Sequence, residues 1–377
     1  MRTFGAAIHC IILILTANTF AKGLNAVFLP EQNQKSRFSS EWRLKLSGVD
    51  LHDERRQSKT IGLAADLKSQ YLLSKSLKLD IQPTIKLQTG QSQSFDGADA
   101  PENKIVLNQA ALQYSVNRNL KLAGGALNQG SIHSSLLVDP IAFPAIRIES
   151  PWGDDNFKVT ITAESAIPTS TSLSSNTKEL EATPSLNALI SKLNWRANDL
   201  LNGKLGVGFF IFGNLPSSVA QKSFLLGNNV NKLSEAEYRF QSDFEGFEAI
   251  AEIEFHFSSA FKGVLGGEYL TNQKAGRDEN SGYLFFGKGI TELPRDKELQ
   301  LSGGYFNIAP DAAVSYFNAS GFETNRVGYY AEVQMAFKKE AFSLGLRFSE
   351  ADVMFSSTVQ SREQMLLLKM ETFYANL

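Results

Sequence analysis

Residues 77–88, LKLDIQPTIKLQ, set Leu77, Leu79, Ile81, Pro83, Ile85 and Leu87 against Lys78, Asp80, Gln82, Thr84, Lys86 and Gln88 in strict alternation. Successive side chains of a strand point to opposite sides, so this segment has one apolar and one polar face. It is as long as the roughly 9–11 residues that cross a bilayer obliquely. A half-buried strand of a soluble sandwich alternates in the same way, so one copy decides nothing. The pattern recurs, however. Phe247, Ala249, Ala251, Ile253, Phe255 and Phe257 oppose Glu248, Ile250, Glu252, Glu254 and His256. Val327, Tyr329, Ala331, Val333, Met335 and Phe337 form a further apolar face, and Phe342, Leu344, Leu346 and Phe348 another. Repeated two-faced strands predict an all-β fold, a transmembrane antiparallel up-and-down β-barrel with lipid outside and water inside.

In chain order the pattern predicts strands over 41–51, 60–71, 77–88, 104–116, 119–127, 145–150, 157–168, 185–196, 202–213, 234–257, 261–271, 281–290, 298–308, 326–337, 342–350 and 364–376. That gives about 16 strands, with 14 or 18 as alternatives, and an even number suits a single-chain barrel with both ends on one side. Splitting 234–257 and dropping 145–150 also gives about 16. Residues 128–156 hold Pro140, Pro144 and Pro151, so most of that stretch is expected to be loop. Short connections such as 70–76 and 117–119 alternate with longer polar ones such as 52–59 and 89–103. Trp42, Tyr71, Tyr114, Trp195, Phe257 and Tyr374 then fall at one end of the strands, and Tyr269, Tyr305 and Tyr329 near the other, as two interfacial girdles.

The first 21 residues read as an export signal, with Arg2, an apolar run over 6–15, and Thr19-Phe20-Ala21 as the cleavage site. Residues 22–40 read as a polar lead-in, and 41–377 as one barrel domain without a linker or change of pattern. Cys10, the only cysteine, lies in the signal, which excludes a thiol nucleophile or thiolate metal site in the mature chain. A net charge of -2 argues against nucleic acid as a partner. A hydrophobic share of 43% is ordinary for a soluble protein, and equally for a barrel whose inner faces and loops meet water.

In architecture, nearly the whole mature chain resembles the outer-membrane porins, in particular the sixteen-stranded general porins and an uncharacterised porin family. Locally, residues 311–326, DAAVSYFNASGFETNR, look like a late outer loop of that uncharacterised family. Porins commonly close on a terminal Phe or Trp; here Phe373 and Tyr374 are near the end but the last residue is Leu377. The resemblance implies a Gram-negative outer membrane, passive diffusion of ions and small hydrophilic solutes, no cofactor, lipid as the surroundings, and possible assembly as a homotrimer. General porins fold the loop after their fifth strand into the barrel, which here is 128–144, with His133 and Asp139 as its ionisable residues.

On the inward faces, Arg43, Lys45, Lys68, Lys78, Lys86, Arg347 and Lys369 lie on the first three and last two strands, partly offset by Glu41, Asp66, Asp80 and Glu371. Glu248, Glu252 and Glu254 lie roughly opposite. Such arcs either tune ion preference or are merely solvated charge. An outer-membrane enzyme and a non-conducting structural or adhesin barrel are the alternative functions. His52 beside Asp53, and His256 near Glu254, are not spaced to a nucleophile motif, and no metal-ligand spacing or phosphate loop occurs.

Overall fold

The alternation becomes sixteen antiparallel strands joined in a closed ring in the computed structural model, which describes residues 37–93, 101–168, 182–234, 237–318 and 322–376. The expected export signal, most of the lead-in, and Asp96, Gly97 and Asp99 lie outside the described residues. The strands are β1 (Phe38–Asp53), β2 (Gln57–Leu72), β3 (Leu77–Gln93), β4 (Lys104–Asn117), β5 (Leu120–Asn128), β6 (Ala142–Gly153), β7 (Phe157–Ala166) and β8 (Ser185–Asn198). They continue as β9 (Leu201–Gly213), β10 (Glu245–His256), β11 (Phe261–Asn272), β12 (Ser281–Leu293), β13 (Lys297–Ile308), β14 (Arg326–Phe337), β15 (Phe342–Val353) and β16 (Glu363–Thr372, extended by Ala375–Asn376). Each pairs with its neighbours in sequence, and β16 closes on β1 from Lys45↔Glu371 to Asp53↔Glu363. Closure leaves no sheet edge, the condition for strands to cross hydrocarbon.

Burial is inverted relative to a soluble protein. Ile146 and Phe285 are 69% and 61% exposed, while Asp66 and Glu248 are 7% and 3% exposed. The outward positions Leu44, Leu46, Ile61, Leu63, Leu87, Leu344 and Leu346 are all exposed, as lipid contact requires.

Several expectations are corrected. Residues 234–257 are not one long strand. Only Glu245–His256 belongs to the ring, and a short hairpin, Val230–Lys232 with Tyr238–Phe240, precedes it. The chain turns because Phe244 is buried and packs edge-on to Phe240, with centroids 5.0 Å apart, which pulls the segment inward. The sixth strand spans Ala142–Gly153 and holds two of the prolines thought to mark loop. Pro144 lies past the last β7 pair, Ala145↔Ala166, and Pro151 past the last β5 pair, Lys121↔Glu149, so each sits at the end of one ladder, where a missing N–H is tolerated; the Pro144 carbonyl still accepts from the Ile167 N–H at 2.8 Å. Tyr374 does not join the lipid-facing girdle expected at the same strand ends as Trp42 and Tyr71. Its ring lies under Arg43 and Lys68, at 4.4 and 3.8 Å, on the inner side. Residues 311–326, expected to resemble a late outer loop, join β13 to β14, and their described part turns inward rather than out to solvent: Asp311, Ala312, Ala313, Val314, Ser315 and Phe317 are each no more than 1% exposed.

Candidate functional site within the barrel

Among the described residues three connections turn into the ring: residues 129–141, residues 214–234 and 237–244 with helix α1 (Ser217–Leu225), and residues 309–318 and 322–325. They have an apolar wall to meet. Leu186 on β8, Phe210 and Phe212 on β9, Leu270 on β11, Leu284 on β12, and Phe306 and Ile308 on β13 are inward and buried. Leu136, Leu137, Val138, Val219, Phe244, Val314 and Phe317 from the three segments pack on them in one cluster. Phe317 is central, edge-on to Phe143 at 5.3 Å and stacked on Phe212 at 5.9 Å. Burial of this surface stabilises the insertion by about 25 cal/mol per Å².

Polar hubs bind the segments to one another. Asn228 Nδ2 donates to the carbonyls of Pro310 and Ala313 at 2.6 and 2.7 Å, while its Oδ1 accepts from the Ser315 N–H. Asn272 Nδ2 donates to the carbonyls of Asp243 and Asp311. Asp311 accepts from the Asn229 N–H at 3.0 Å; burial, aided by the charge of Glu279, pushes its carboxyl above the usual range. Gly227 has φ +109°, where a Cβ would lie 2.3 Å from the Thr324 carbonyl oxygen, so only glycine fits that contact between two segments. Arg326 donates to Glu323 and the Ser361 carbonyl, and Arg56 to Asp53, Glu323 and Glu363, tying the third segment to β1 and β16.

Residues 129–141 are held by two wall carboxylates. Glu248 Oε1 lies 2.7 Å from His133 Nδ1, and its Oε2 accepts the Ser134 N–H at 2.7 Å. Glu268 Oε2 accepts from Ser135, both N–H and hydroxyl. The Asp139 N–H donates to the Phe317 carbonyl, and Asn318 Nδ2 to the Leu136 carbonyl, so the first and third segments are also joined. His133 and Asp139 are therefore both buried in the packed mass, 4% and 6% exposed.

The other side of the interior is open. A cavity of about 450 Å³ lies between Lys45, Asp66, Thr84, Lys86 and Lys369 on the wall and Pro140-Ile141 at the end of the first segment. Asp66 is its organising group. It accepts from Arg43 at 2.8 Å and Thr84 at 2.6 Å, and pairs with Lys45 at 2.9 Å. Arg43 also reaches Glu371 at 3.1 Å. Asn108 Nδ2 donates to the Thr84 hydroxyl, completing the chain.

Among the other residues expected on the inner faces, Lys78 pairs with Asp80 at 3.0 Å, Lys204 with Glu252 at 2.8 Å, and Lys369 lies 4.0 Å from Glu332. Glu254 is 2.5 Å from His256 Nε2, and Arg347 stacks on Tyr330 at 4.3 Å. The structure thus brings Lys45, Lys86 and Lys369 to one cavity. Glu252 and Glu254 line a second cavity, of about 240 Å³, near Arg196, and Glu248 is drawn into the packed mass. Sequence reasoning missed Asn228, Asn272, Glu268, Asp311 and Arg326 as the groups that hold the inserted segments. Glu268 could have been found, since it shares inward parity with the buried Val264 and Leu270.

Among the described residues no group of three or more His, Asp or Glu side chains could hold a metal. Ser135 bonds Glu268 rather than a histidine, and His133 Nε2 has no hydrogen-bond partner among them, so no serine–histidine pair is formed.

No protein-family model matches the chain, and no curated protein matches it. Solved structures do. OprB of Pseudomonas putida, at high pH, superposes with a TM-score of 0.58 at 13% identity, covering 89% of this chain and 93% of that one. A loop L8 deletion mutant of OmpT, an outer membrane protein of Vibrio cholerae, gives 0.52 at 10% identity, covering 90% of this chain and all of that one. At these identities the likeness is one of fold: the chain has the closed barrel of outer-membrane proteins.

Proposed function

We propose that this barrel is a porin of the Gram-negative outer membrane, passing ions and small hydrophilic solutes by passive diffusion along the open side of its interior. The observation that carries this reading is the cavity walled by Lys45, Asp66, Thr84, Lys86 and Lys369 inside a closed ring whose outside is apolar. Sixteen strands enclose more room than their own side chains fill. Here three connections fill one sector and leave the other to polar groups. The apolar run over 6–15, with Arg2 ahead of it, supports export to that membrane.

A second reading, a non-conducting structural barrel, draws on the same inserted segments, which obstruct the apolar sector. Stepwise conductance after reconstitution of the purified protein into planar bilayers supports the porin reading. Correctly inserted barrels that carry no current would sink it in favour of the structural one.

A further inference from the structure

The open cavity has an unbalanced set of charges. Asp66 takes hydrogen bonds from Arg43 and Thr84 and an ion pair from Lys45, and Glu371 is engaged by the same Arg43. Lys369 lies 4.0 Å from Glu332. Lys86 is half-buried on the cavity wall and has no carboxylate partner among the described residues. Among the described residues the carboxylates lining the cavity are Asp66 and Glu371, both on the wall, and the inserted segment facing them adds none. Pro140 and Ile141 line the cavity, with Val106 beside them, while Asp139 is buried in the packed segment. Lys104 and Lys45 act on this ammonium from nearby, offset in part by Asp66, and a partly desolvated ammonium in such surroundings attracts an anion and repels a cation more strongly than the same charge in bulk water.

Resting on the porin reading, we propose that this cavity is a binding subsite for a small organic monocarboxylate. Lys86 Nζ holds the carboxylate, with Lys45 and Lys369 lining the same cavity, and the apolar body of the solute lies on Val106, Pro140 and Ile141. The volume of about 450 Å³ falls within the range of small-molecule sites. The arrangement differs from a pair of opposed charged arcs because the inserted segment contributes apolar contact rather than negative charge, so the preference is for an anion with a hydrophobic portion over a bare inorganic one.

Benzoate is the probe, with benzamide as its neutral isostere. Titration calorimetry on the detergent-solubilised barrel should show benzoate binding in the wild type. It should weaken about tenfold in Lys86→Gln, be kept in Lys86→Arg, and be unaltered in Lys59→Gln, whose ammonium lies on the outer face 3.5 Å from Asp50. In bilayers, benzoate should reduce the chloride current of the wild type more than that of Lys86→Gln. Equal binding of benzoate and benzamide, or an unchanged affinity in Lys86→Gln, would overturn the proposal. Absence of conductance alongside Lys86-dependent benzoate binding would overturn the porin reading and leave the subsite standing.

Discussion

The two sides of the barrel interior are built from the same kind of strand and end in opposite physical states. On β1–β3, inward positions carry Lys45, Ser47, Asp66, Thr84, Lys86 and Gln88, and a cavity remains against them. On β8, β9, β12 and β13 the inward positions carry Leu186, Ile190, Phe210, Phe212, Leu284, Phe306 and Ile308, all buried, most of them beneath inserted connections. A strand apolar on both faces inside a ring of this width must meet something other than water, and the chain supplies it from its own loops. The outward face follows the lipid. The inward face records how much of the interior the protein keeps for solvent.

The strongest way to break this contrast is Phe317→Ala. Truncating a fully buried ring that touches Phe143 and Phe212 should destabilise the packed sector by about 3–5 kcal/mol, read by thermal unfolding in detergent, and should raise and destabilise single-channel current. Unchanged current with lowered stability would mean that the packed sector does not limit the path.

On the open side, Lys86→Glu should move the reversal potential in a salt gradient toward cations. Lys78→Glu should move it less, because the Lys78 charge is already matched by Asp80 at 3.0 Å. Equal shifts would remove the special place given to Lys86.

Between the two sides, Glu248→Gln removes the charge that holds His133 and the Ser134 N–H. It should loosen residues 129–141 by about 1–3 kcal/mol, visible as faster hydrogen exchange there with little change at β1–β3.

The smallest expected effect is a pH dependence. Asp311 has its carboxyl raised by burial in the packed state, so its contribution to packing is fully present at acid pH and is lost as pH rises through the raised value. Fluctuations of the channel current should therefore grow as pH rises out of the ordinary carboxylate range, and Asp311→Asn should flatten that dependence. Wild-type fluctuations that fall with rising pH would contradict the sign.

The outward face was legible residue by residue. Leu79, Ile81 and Leu87, or Leu344, Leu346 and Phe348, repeat every second position because each meets the same solvent, and a one-residue slip would put Lys86 or Arg347 into hydrocarbon. Failures came where local pattern and long-range packing disagreed. Residues 234–257 look like one strand because their apolar residues continue past Asp243, yet Phe240 and Phe244 are apolar for the interior core rather than for lipid. Pro144 and Pro151 look like loop markers, yet each sits where one ladder has already ended. The open cavity was half legible: Lys45, Lys86 and Lys369 had inward parity, but their sharing one cavity with Pro140-Ile141 was not readable from parity.

By itself, then, the sequence determined the ring, its strand number and its inside-out polarity, because period-two alternation against a uniform solvent is a local property. Only the tertiary structure decided which connections turn inward, that Asp66 gathers Arg43, Lys45 and Thr84, and that among the described residues no carboxylate is ion-paired with Lys86. Those outcomes depend on contacts such as Asn228 with Pro310 and His133 with Glu248, 82 and 115 residues apart. No local period encodes them, and they exist only once closure of the ring has brought their elements together.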